Sequence, residues 1–159
     1  MRIHSLSIGD IVKTVVIGLI TAAVTAGMMF LAVKSGVSPL PKPLGLAFVE
    51  TILGHGAPMP VGFLFHAAWV TAFTLVYVLL FRDSLTFARA FWLAFLLWLS
   101  VLAIFFPLVG WGFFGLGIGP RMIVASAVPH LVFALLVWGL SRLLLARMPA
   151  DRLSPAKTA

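Results

Sequence analysis

The sequence predicts an all-α fold: an integral membrane four-helix bundle, N-in and C-in, with a short outer interfacial helix between helices one and two, all within a single transmembrane domain over 1–159. Three observations predict it. The chain is 62% hydrophobic and only 9% charged, with a mean hydropathy of +1.18, where a soluble domain carries about 25% charged residues. Four stretches, 14–33, 61–81, 90–109 and 122–141, lack Asp, Glu, Lys and Arg altogether, and at about 1.5 Å per residue each covers the roughly 30 Å hydrocarbon layer. Cations mark their edges: Lys13 and Lys34 bracket the first, Arg82 closes the second, Arg89 opens the third, and Arg121 and Arg142 bracket the fourth. Snorkelling cations are expected at such helix ends, whereas solvated surface charges have no reason to recur at bilayer-length intervals.

The distribution of those cations sets the expected orientation. Arg2, Lys13, Arg82, Arg89, Arg142, Arg147, Arg152 and Lys157 fall on one side, against Lys34, Lys42 and Arg121 on the other; the richer side is expected in the cytoplasm. A formal net charge of +7 does not point to nucleic acid, because the basic residues are scattered among helix ends instead of forming one face with interleaved aromatics. The first apolar run exceeds the usual length of a signal-peptide core and no A-x-A site precedes Lys34, so it is expected to be retained as a span. With no cysteine, disulfides, thiolate metal sites and thiol redox chemistry are excluded.

Helix one carries Gly18, Ala22 and Ala26 at steps of four, with Thr14 before them and Ala23 and Gly27 alongside. Such a strip lets a second helix approach closely, and serves equally as an internal packing seam or as the face of a homo-oligomer. The connection that follows holds "SPLPKPLG", whose prolines forbid a continuous helix. It then holds "LGLAFVETIL" over 44–53, apolar but too short to span, which is expected to lie in the interface and cap the bundle. Helix two starts near Pro60, where proline suits a first turn. Helix three ends about Pro107 in the glycine- and aromatic-rich "VGWGFFGLGIGPR", suited to the outer interface, and helix four contains Pro129, which frees a carbonyl one turn back. Tyr77, Trp92, Trp138 and Trp111 read as an aromatic belt, and Trp69 and Trp98 as deeper packing residues.

His66 in helix two and His130 in helix four are the candidate site. Both lie in the outer half of their spans, roughly 9 Å and 13 Å along the helix from Pro60 and Arg121, and an intramembrane ionisable group is a functional candidate by default. Three readings stay open. Each neutral imidazole could donate to a carbonyl or hydroxyl and fasten helices. The pair could ligate a b-type haem, with Gly62, Ser126 and Ala134 leaving room for a flat macrocycle. Met28, Met29, Met59, Met122 and His55 could join them in holding Cu(I), although no M-x-M or M-x-x-M spacing occurs. Glu50 and His55 are the outer acid–base candidates, but their spacing does not match H-E-x-x-H. No carboxylate lies in any of the four uncharged runs, so the usual proton relay of ion-coupled transport is missing.

The His66…Tyr77 pair and "PHLVFALLVWGL" at 129–140 resemble features of uncharacterised four-span bacterial membrane proteins, in which a histidine opens the second and last helices. Ala134 stands where such proteins often have glycine. The resemblance implies a four-helix bundle in a bacterial inner membrane and brings no activity with it. A histidine near the start of the last helix of each hairpin, 14–81 and 90–141, hints at duplication, but aligning His66 with His130 yields few further identities. The expected function is non-enzymatic: an accessory or interaction subunit contacting lipid, a partner membrane protein or a second copy, with no nucleic acid. The alternative is electron transfer through haem b between His66 and His130.

Overall fold

The computed structural model describes residues 6–145, so Arg2, Arg147, Arg152 and Lys157 of the charge count lie outside the described residues. Among these the protein is helical, without a strand, and four helices are long and apolar enough to cross a membrane. They are α1 (Ile8–Lys34), α3 (Met59–Phe81), α4 (Phe87–Leu108) and α5 (Arg121–Leu145), with the short apolar α2 (Leu44–Leu53) between α1 and α3. Each of the four begins before its uncharged run: Lys13, Arg89 and Arg121 lie within α1, α4 and α5, whereas α3 starts at Met59 with Pro60 in its first turn and has Arg82 just past its end. In α1 the extra turn is fixed by Ser7, whose side chain accepts the Asp10 amide at 3.1 Å as an N-cap. Asp10 in the first turn and Lys34 in the last both complement the helix dipole.

The helices bury their small and polar faces, not their greasiest ones. The inner face of α1 is Thr14, Ile17, Gly18, Thr21, Ala22 and Thr25, while Leu19, Ile20, Val24 and Leu31 point outward. In water this arrangement would be inverted. In lipid it is expected, since acyl chains solvate leucine as well as a core does and close packing of small residues becomes the selective force.

Pairings along the helices show an up-and-down ring. Asp10 meets Arg82 at 3.2 Å at one end of α1 and α3, and Thr25 meets His66 toward the other. Trp98 donates to Ser126 at 3.1 Å and Phe87 packs on Trp138, so α4 and α5 are likewise antiparallel. α1 packs closely on both α3 and α5, and α5 on α4, but α3 and α4 make only sparse backbone contact. Aromatic rings bridge that fourth side: Trp69 lies edge-on to Phe105 at 5.2 Å, and Phe48 of α2 stands 4.9 Å from both Phe65 and Phe105.

Two buried clusters fill the bundle. One, around Ile17, Tyr77, Ala94, Ala134 and Val137, occupies the end near the α3–α4 connection. The other, around Leu40, Ala47, Leu102, Phe106, Trp111 and Met122, occupies the end capped by α2 and the 109–120 loop. Two members of the expected aromatic belt belong to these cores instead. Tyr77 is fully buried and its hydroxyl donates to the Thr86 carbonyl at 3.1 Å, tying α3 to the following connection. Trp111 is folded back against Phe106 by the glycine-rich loop, where Gly115, at φ +75°, sits so close that a Cβ would lie 2.7 Å from Met122. Trp92, by contrast, is exposed as the belt requires.

Within α4, residues Val101–Phe105 form a π-helical turn that the sequence pattern did not reveal. Pro107 has no N–H to return to the preceding turn. The backbone absorbs an extra residue just before it, so that the Phe106 amide bonds the Val101 carbonyl.

Candidate functional site

α3 and α5 bring His66 and His130 to the same cavity, between the two buried clusters on the α2 side of the bundle. Its volume is about 140 Å3. Residues from all five helices line it, most of them aromatic or aliphatic, with Thr25, Ser126, the Trp69 indole and the two imidazoles as its side-chain polar groups.

The histidines are held differently. His66 Nε2 lies 3.0 Å from Thr25 Oγ1, joining α3 to α1. The Thr25 hydroxyl already donates to the Thr21 carbonyl at 2.8 Å. That one proton can serve the carbonyl or the imidazole, so the shared bond holds His66 in either tautomer. His130 Nδ1 lies 2.7 Å from the Ser126 carbonyl, which can only accept. The fastening reading thus describes His66, while His130 is oriented within its own helix. Pro129 leaves the Ala125 carbonyl without its usual partner, yet the imidazole takes the neighbouring one.

The small residues expected to admit a macrocycle have other uses. At Gly62 a Cβ would lie 2.8 Å from Leu46 Cα, and at Gly45 a Cβ would lie 2.8 Å from the Gly62 carbonyl oxygen, so this pair lets α2 cross directly on α3. Ser126 accepts from Trp98 and donates to the Ile123 carbonyl at 3.0 Å, and Ala134 is fully buried in the core. A haem does not fit this donor set. The cavity matches an engineered one of about 150 Å3 that takes a benzene, far short of four pyrrole rings, and the Nε2 of His66 is already engaged by Thr25.

Of the soft ligands considered for Cu(I), Met29 and Met59 reach the cavity, Met122 is buried in the neighbouring core, and His55 is exposed with Nδ1 at 2.9 Å from the Gly56 carbonyl. No cluster of three or more His, Cys, Asp or Glu suited to a metal occurs among the described residues. Glu50 is structural in its contacts: one carboxylate oxygen accepts from Lys42 at 2.7 Å and the other from the Ala57 amide at 3.4 Å. The Lys42 ammonium, with the Ala57 amide behind it, holds the Glu50 carboxyl below the ordinary carboxylate range.

The small-residue strip of α1 faces two ways. A Cβ on Gly18 would come within 2.7 Å of Thr71 Cα, and Ala22 is buried beside it, whereas Ala26 reaches the cavity and Gly27 has open space around it. Sequence reasoning did not find Thr25 or the Trp69–Phe105 bridge. Thr25 shares the Gly18–Ala22 face and lies at the depth of His66, so matching hydroxyls to intramembrane histidines by depth would have identified it. No protein-family model, curated protein or solved structure matches this chain.

Proposed function

We propose that the protein is a non-enzymatic multi-pass inner-membrane protein, N-in and C-in, that acts by holding a small apolar molecule between His66 and His130. An accessory or interaction subunit working in this way would respond to that molecule through its contacts with lipid, a partner chain or a second copy. The bacterial inner membrane enters this reading from the cation distribution and from the resemblance to four-span proteins with a histidine in the second and fourth helices.

The observation that carries the reading is the cavity itself. Native interiors hold few voids larger than a water, and a cleft of about 140 Å3 leaves its lining atoms short of contacts. A ligand restores them.

The test is saturable binding of iodobenzene to the protein in lipid nanodiscs, read as quenching of tryptophan fluorescence, since Trp69 lines the cavity. Partition into lipid gives quenching that rises linearly, and the site adds a saturating component. Ala26→Phe, which fills the cavity from α1, is expected to remove that component while the protein still melts cooperatively. Linear quenching alone in the wild-type protein would refute the reading.

A further inference from the structure

The hydrogen bond that orients His130 also fixes what its ring has left to offer. A neutral imidazole carries one N–H and one lone pair. His130 spends its N–H on the Ser126 carbonyl, which can only accept. What remains is His130 Nε2, an acceptor without a hydrogen-bond partner among the described residues. Offering a donor there would require a second proton on the ring, placing a charge within the span.

The rest of the wall sets the shape of the ligand. The cavity is the size of one that accommodates a single six-membered ring. Phe65, Trp69, Phe73, Phe105, Phe106 and Phe133 surround it, and aromatic faces and edges favour another ring in offset or edge-on contact. An aliphatic alcohol would satisfy the imidazoles but forgo those contacts.

We infer that the cavity selects a single aromatic ring bearing hydroxyl donors, the chemistry of a phenol or a hydroquinone head group, with the hydroxyl donating to His130 Nε2. This rests on the proposed binding role and adds to it a direction of hydrogen bonding. A ring of the same size that carries only carbonyl oxygens meets that lone pair with a lone pair and forgoes the bond.

Competition against iodobenzene in nanodiscs tests this, using phenol, benzene and benzaldehyde, with concentrations compared in the lipid phase. Phenol is expected to displace the probe at about one-tenth the concentration of benzene, the factor one hydrogen bond supplies, and benzaldehyde to fall behind phenol. In His130→Leu the advantage of phenol disappears while iodobenzene still saturates, which also reports that the bundle is folded. Should that variant not fold, the three wild-type competitions decide alone. Equal displacement by phenol and benzene, or displacement by benzaldehyde as strong as by phenol, overturns the donor selectivity and leaves the binding role standing. No saturable iodobenzene binding overturns both.

Discussion

Gly18 permits the closest approach of α1 to α3, and its neighbour there is backbone. A side chain added at this position meets Thr71 Cα and Cβ at 2.7 Å and 3.0 Å, atoms that cannot rotate away as a flexible side chain would. Gly18→Leu is therefore expected to cost at least the roughly 1–3 kcal/mol of ordinary overpacking, lowering the melting midpoint of the detergent-solubilised protein. Gly27→Leu, with nothing within 4 Å of the new Cβ, is expected to leave it near wild type. Equal midpoints for the two would mean that the seam has been misplaced. The contrast also marks a limit of the sequence: steps of four made the strip legible, but Gly18 and Gly27 belong to it alike, and spacing alone does not say which looks inward. The histidines were legible as candidates because polar groups are rare in such runs. Their partners were not, because His66 meets a threonine forty-one positions away in the chain and His130 turns back to a backbone carbonyl of its own helix.

At the level of elements, α2 is seated on the bundle by two devices. The Gly45–Gly62 contact brings its backbone onto α3, and Glu50 joins the preceding proline-rich segment to the following connection through Lys42 and Ala57. Because the native Glu50 carboxyl is held below its usual range, its stabilising effect is complete above the unfolded value of about 4.3 and is lost as pH falls through the lower native one. Glu50→Gln is expected to lower the melting midpoint at neutral pH, with the gap to wild type closing in increasingly acid buffer, as followed by circular dichroism. A gap that stays constant into strong acid would remove Glu50 from this role. The existence of α2 was readable from its apolar run between a proline cluster and Gly54, which ends it in a left-handed conformation at φ +71°. Its crossing point on Gly62 was not, since two glycines apart in sequence carry no mark of their pairing. Nor was the π-helical turn before Pro107, where sequence indicates that a helix must adjust but not how.

For the whole molecule, the number and order of the spans were legible because bilayer thickness imposes a length that few other environments demand. The absence of cysteine allows the orientation to be tested directly. Val37→Cys, on the exposed connection after α1, is expected to react with a membrane-impermeant maleimide in intact spheroplasts, whereas Thr86→Cys, on the α3–α4 connection, reacts only after lysis. The opposite pattern would invert the bundle and, with it, the side on which the cavity lies.

The sparse contact between α3 and α4 bears on how the protein is made. Its firm attachments lie within the hairpin of α1 and α3, within the hairpin of α4 and α5, and between α1 and α5. Each hairpin can consequently close on itself as it leaves the ribosome, and docking of the second half falls to the first and last helices. The α3–α4 connection then works as a tether, raising the local concentration of two ready-made halves for each other instead of dictating how they fit.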